Sequence, residues 1–161
     1  LKSQLGQGSV FSVHIPARAV VELSSNNAPS ADHDVYMDFE GLRILIVDDD
    51  SSVVDAMTQL LKAWGCQVVS TSSPEQVDRL LRVDQNFDII LLDDMLNDDE
   101  MGLDLAYRLK EIIPQHRIIM ATGNVSADRL SEIQNLGFEV LVKPVDYQVL
   151  RHSMTNAMSP F

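Results

Sequence analysis

The sequence has a single cysteine, Cys66, and a single tryptophan, Trp64. A lone cysteine excludes an internal disulfide, and no spacing of Cys and His suggests zinc, so a reducing cytosol is the expected setting. Basic residues are scarce: 12 Lys and Arg stand against 24 Asp and Glu, a formal net charge of -12. That balance argues against nucleic-acid backbones and anionic membranes, both of which attract clustered Lys and Arg. Cations or basic partner surfaces fit better. No apolar run reaches the length of a membrane span and no signal-peptide pattern opens the chain, so no membrane contact is expected of these residues. Leu1 stands first where Met would be usual, and the chain is expected to be a piece of something longer.

What is present suffices for a core. The 161 residues are 45% hydrophobic, enough for one domain of ordinary size with an appendage. Residues 16–40, "PARAVVELSSNNAPSADHDVYMDFE", sustain neither a period of two nor one of 3.6, and read as a linker. Before it, "GQGSVFSVHIP" places Val10, Phe11, Val13 and Ile15 after a Gly turn, the pattern of a half-buried strand stopped by Pro16. Such a strand needs a sheet to join.

After the linker, short apolar runs alternate with helical patterns. "RILIVDD" precedes "SSVVDAMTQLLKAWG", where Val53, Val54, Met57, Leu60, Leu61 and Trp64 share a helical face that Gly65 ends. "CQVVST" precedes "SPEQVDRLLRV", in which Ser73, Pro74 and Gln76 form a capping-box start. "FDIILLD" precedes "GLDLAYRLKEIIP", a helix expected to run to Pro114. "RIIMAT" precedes "SADRLSEIQNLG", and "FEVLVKP" precedes "DYQVLRHSMTNAM". Five pairs of continuous apolar strand and amphipathic helix predict a parallel sheet covered on both faces, an α/β three-layer sandwich. Ligands of such sheets bind beyond the carboxyl ends of the strands.

The residues at those ends are Asp48, Asp49 and Asp50, then Asp93 and Asp94, then Thr122, then Lys143. Two carboxylates ~4 Å apart repel by about 4 kcal/mol at an effective dielectric near 20, so gathering three calls for a cation. Oxygen ligands with room for water suit Mg²⁺ or Mn²⁺. A lysine and a hydroxyl beside them suit a phosphoryl group, and a carboxylate can itself be the nucleophile.

In order and spacing, "ILIVDD", "FDIILLDDML", "MATG" and "LVKP" resemble the receiver domain of two-component response regulators over residues 42–158. The resemblance implies a flavodoxin-like receiver fold with a five-stranded parallel sheet of order 2-1-3-4-5. It also implies Asp93 as phosphoacceptor, with Asp49, Asp93 and the Met95 backbone carbonyl on Mg²⁺, Asp48 acting through water, and Thr122 and Lys143 on the phosphoryl oxygens. Residues 1–16, "LKSQLGQGSVFSVHIP", resemble the last hairpin of a histidine-kinase ATPase domain. The order then implies residues 1–15 as a kinase remnant, 16–40 as linker and 41–161 as receiver, from a hybrid sensor kinase that is itself cytoplasmic or membrane-anchored. Its partners would be the phosphohistidine donor domain of the parent kinase and a histidine phosphotransfer domain. These residues lack the phosphoacceptor histidine and the ATP-binding boxes, so they are not expected to be a kinase alone.

The match has departures. Asp94 is charged where the family commonly has an apolar residue, Asn97 replaces a proline, Gly102 comes one position late, and Val140 stands where an aromatic residue is frequent. Plainer readings exist beside the sharp ones: Asp50 or Ser51 as a helix cap, and Asp98, Asp99 and Glu100 as a solvated loop. Two rival functions go with them, a degenerate receiver that binds partners without phosphorylation and a Mg²⁺-dependent phosphohydrolase using Asp93.

Overall fold

The structure is a computed structural model that describes residues 2–4, 8–10, 39–96 and 102–159. The chain divides into two units, Leu1–Tyr36 and Met37–Phe161. In the first, strands β1 (Lys2–Gln4) and β2 (Gly8–Val10) pair antiparallel, with Ser3 opposite Ser9. The rest of the expected strand, Phe11 to Ile15, and residues 16–38 of the expected linker lie outside the described residues.

The second unit holds β3 (Arg43–Val47), β4 (Gln67–Thr71), β5 (Ile89–Asp93), β6 (Ile118–Thr122) and β7 (Glu139–Val142). Every pairing among them is parallel and the spatial order is β4-β3-β5-β6-β7. Counted within this sheet, that order is 2-1-3-4-5. Helices α1 (Ser51–Ala63), α2 (Pro74–Val83), α3 (Gly102–Leu109), α4 (Ala127–Asn135) and α5 (Tyr147–Met158) follow the five strands in turn.

Two cores lie on the two faces. Because successive strand residues point to opposite sides, Ile44, Ile46, Ile89, Leu91, Ile119 and Leu141 pack with Leu61 of α1 and with Leu150 and Met154 of α5. Leu45, Val47, Ile90, Leu92, Ile118 and Met120 pack instead with α2, α3 and α4. Each fully buried Leu or Ile contributes about 1.5–3 kcal/mol, so both faces weigh heavily in stability.

Local signals place the helix starts. Asp50 accepts the Ser52 N–H at 2.8 Å and caps α1, Ser126 accepts from Arg129 N and caps α4, and Asp146 caps α5. Ser73 caps α2 as expected, but only half of the capping box forms: the Gln76 carboxamide accepts from the Thr71 hydroxyl instead of reaching back to Ser73 N. Gly65 and Gly137 end α1 and α4 at φ +87 and +83, where a side chain would be strained.

Two expectations are corrected. Helix α3 stops at Leu109, short of Pro114, because residues 110–113 form turns in which both Ile112 N and Ile113 N donate to Leu109 O. That path buries Ile113 and leaves Ile112 exposed. Phe39, assigned to the linker by composition, is buried in the α1 and α5 core with its ring 5.8 Å from Trp64. The carboxylate loop, residues 97–101, lies outside the described residues.

Candidate functional site

Strand parity decides which end residues meet. Asp48, Asp93 and Lys143 continue the alternation of Ile46, Leu91 and Leu141, and so belong to the face covered by α1 and α5. Asp94 and Thr122 continue that of Leu92 and Met120, and belong to the face covered by α2, α3 and α4.

The first set forms one cluster. Lys143 Nζ lies 2.7 Å from Asp48 Oδ2 and 2.9 Å from Asp93 Oδ1. Asp48 also accepts the Asp50 N–H at 2.9 Å. Carboxylate oxygens of Asp48, Asp49 and Asp93 all lie within 4.8 Å of one another, with Asp48 and Asp93 buried and Asp49 exposed. Lys143 is carried there by the ladder, its N–H donating to Thr122 O at 2.8 Å, and is followed by a cis peptide to Pro144.

Burial raises the Asp93 carboxyl above the ordinary aspartate value. Lys143 draws it back, Asp48 pushes it up and the Met95 amide again lowers it. Burial alone would lower the Lys143 ammonium, but hydrogen bonds to Asp48 and Asp93 and the charges of both carboxylates raise it overall. Three carboxylates against one ammonium leave an excess of negative charge around hard oxygen donors. Exposed Asp49 leaves a side open to water, and the set fits Mg²⁺ or Mn²⁺. Beside Lys143, a groove lined by Ser52, Val53, Ala56, Met57 and Pro144 opens against α1.

The remaining site residues make other contacts. Thr122 is fully buried, and its hydroxyl donates to Asp94 Oδ2 at 3.0 Å. The Met95 side chain is exposed, while its backbone amide reaches the Asp93 carboxylate. Asp94 is buried in a bidentate ion pair with Arg129 of α4, which also binds Glu132 at 2.7 Å. The sequence reading missed Arg129. The signal that could have found it is parity: a charged Asp94 aimed at a helix-covered face needs a buried cation.

Gly102 completes the frame. Its N–H donates to Asp94 O at 2.9 Å, and a Cβ at this position would collide with the Asp93 carbonyl oxygen. The start of α3 is thus seated directly on the backbone that carries Asp93.

Residues 44–155 match the family described as Response regulator receiver domain. The chain is 33% identical over 110 residues to the alginate biosynthesis transcriptional regulatory protein AlgB of Pseudomonas aeruginosa, covering 68% of this chain and 24% of that protein. It is 33% identical over 117 residues to the DNA-binding transcriptional regulator NtrC of Azospirillum brasilense, covering 72% and 24%. The chain therefore spans about a quarter of the length of these relatives. Among solved structures, a response regulator receiver domain protein from Clostridium thermocellum superposes with a TM-score of 0.65 at 28% identity, covering 73% of this chain and 94% of that one. A CheY-like receiver domain protein from Methanospirillum hungatei gives 0.63 at 27% identity, covering 72% and 92%.

Proposed function

The chain belongs to the response regulator receiver domain family, and on that premise we propose that Asp93 accepts a phosphoryl group from a phosphohistidine. The observation that carries this is the position of the Lys143 ammonium, bonded at once to Asp48 and Asp93 at the carboxyl ends of three strands. An Asp93 oxygen attacks phosphorus, the P–N bond to the histidine breaks as the new P–O bond forms, and the imidazole leaves with the bond's electron pair. Lys143 supplies a fixed positive charge to the phosphoryl oxygens, which is worth most where burial excludes water. Asp48, Asp49, Asp93 and the Met95 carbonyl would hold Mg²⁺. When bound, the ion offsets charge on the carboxylate and the phosphoryl group together.

The added phosphoryl charge, close to two negative units, is the output signal. The groove between α1 and Pro144 gives a phosphohistidine-bearing helix an apolar seat beside the acceptor. The context we favour is a hybrid histidine kinase, with residues 1–15 ending its ATPase domain, 16–40 as linker, 41–161 as receiver and a histidine phosphotransfer domain next in line. Its support is the Gly-x-Gly-Ser-x-Phe pattern and the antiparallel β1–β2 pair. The setting that goes with this reading is the cytoplasm; none of the described helices is long and apolar enough to cross a membrane. The matched relatives favour a second context, the receiver of a transcriptional regulator. ATP-dependent autophosphorylation of the intact gene product, as against DNA binding, separates the two.

The test of the core reading is intact mass after treatment with Mg²⁺ and acetyl phosphate. A metal-dependent phosphoryl adduct is expected on the wild type and not on Asp93→Asn. A folded, Mg²⁺-binding wild type that takes no adduct points instead to an interaction module that works without phosphorylation.

A further inference from the structure

The Asp94–Arg129 pair has no part in the chemistry above, yet both members are buried, Asp94 more deeply than the acceptor. Asp94 is 1% exposed and Arg129 9%, against 7% for Asp93. Arg129 Nε donates to Asp94 Oδ2 at 3.0 Å, and its Nη2 donates to Oδ1. The same Oδ2 receives the Thr122 hydroxyl. A threonine hydroxyl has a single proton to donate, and here it is committed to Asp94 Oδ2. A phosphoryl oxygen on Asp93 can have that proton only if Asp94 gives it up.

The contacts close into a ring. Thr122 Oγ1 accepts the Asn124 N–H at 3.0 Å, Asn124 Oδ1 accepts the Ser126 N–H at 3.0 Å, and Ser126 Oγ accepts the Arg129 N–H at 3.3 Å. Arg129 then returns to Asp94. Movement of the Thr122 hydroxyl therefore pulls on the turn that caps α4.

We propose that Asp94, held by Arg129, is a positioning residue that competes with a phosphoryl group on Asp93 for the Thr122 hydroxyl. Filling the acceptor exchanges the Thr122–Asp94 bond for a Thr122–phosphoryl bond, and the ring of contacts carries the exchange to the N-terminus of α4. Arg129 holds the Asp94 carboxylate in place, so the resting state is restored when the phosphoryl group leaves. This rests on the assignment of Asp93 as acceptor and of Thr122 as a donor to its phosphoryl oxygens.

The test is equilibrium binding of beryllium trifluoride with Mg²⁺, a stand-in for the phosphoryl group, to the whole chain. Asp94→Leu with Arg129→Met removes the competing acceptor and its cation together and fills the space with apolar groups. Affinity is expected to tighten by about three- to tenfold, the worth of one hydrogen bond released to the ligand. Adding Thr122→Val to that variant should abolish the gain. Asp94→Asn, which keeps the shape and weakens the acceptor, should move affinity in the same direction by less, again only with Thr122 present; it serves if the double variant does not fold by circular dichroism. Unchanged affinity in folded variants, or a gain that persists with Thr122→Val, overturns the proposal. Wild type that binds no beryllium trifluoride, or binds it equally as Asp93→Asn, overturns the acceptor assignment itself, and this proposal with it.

Discussion

Lys143 and Asp93, from the ends of β7 and β5, meet as an ion pair with Nζ 2.9 Å from Oδ1. The lysine thus stands among the same carboxylates that a divalent cation needs, and two cations so close repel. Lys143→Gln is expected to tighten Mg²⁺ binding by up to about tenfold, read by calorimetry. The same change should lower the rate of adduct formation from acetyl phosphate by about a hundredfold, since a fixed charge at the reacting group is lost. Tighter metal with an unchanged rate would remove Lys143 from the transfer step.

The raised Asp93 carboxyl makes metal binding sensitive to acid. Burial, the main cause, favours its protonated form. A folded-state value above the unfolded one means that folding favours proton uptake, and this contribution to stability is lost as pH rises through the folded value. Mg²⁺ requires the carboxylate, so its affinity should fall as pH drops through that value. The midpoint is expected above the ordinary aspartate figure of 3.8. A calorimetric titration series with its midpoint at or below that figure, in protein shown to be folded, would contradict this.

Much of this was legible beforehand because continuous apolar runs and capped helices report strand and helix directly. The five strands from Arg43 to Val142, the Asp50 and Ser73 caps and the Gly65 and Gly137 stops all follow from local rules. Phe39 and the end of α3 did not, since Phe39 sits in no periodic run and is placed by a distant partner surface, while the helical pattern runs on through Ile113 although the chain leaves the helix at Leu109. The convergence of Asp48, Asp93 and Lys143 was readable from strand ends alone. The turn of Asp94 to the other face is readable from its place one residue beyond β5, and the same alternation within β6 puts Thr122 beside it. Arg129 lay beyond even that, because one arginine in an amphipathic helix carries no sign of whether it turns inward.

Gly102 is expected to resist substitution. It lacks a positive φ, so the demand is for space and not for backbone freedom, and the space is taken by the Asp93 carbonyl. Alanine favours a helix interior by up to about 1 kcal/mol over glycine. Here overpacking against rigid backbone, about 1–3 kcal/mol, should outweigh that gain. Gly102→Ala should therefore lower the urea midpoint without changing the slope, and should weaken Mg²⁺ binding by shifting Asp93. A stabilised Gly102→Ala protein would mean that the start of α3 moves away freely.

Arg129 and Asp94 should show the asymmetry of buried ion pairs. Arg129→Met alone leaves the Asp94 carboxylate, 1% exposed, with the Thr122 hydroxyl as its remaining side-chain donor. Breaking such a pair from one side typically removes about 3–5 kcal/mol, because an uncompensated charge stays buried. Replacing both members by apolar side chains removes the charge with its partner, and the change should then be near neutral. Urea unfolding of Arg129→Met, Asp94→Leu and the double variant measures both quantities and their coupling. The guanidinium also binds Glu132 on the rim of α4, and that exposed bond should contribute at most about 1 kcal/mol. If Arg129→Met lost no more than this, the Asp94 carboxylate would have to reach water on its own, and the ring that ties Thr122 to α4 would not be held shut in the resting protein.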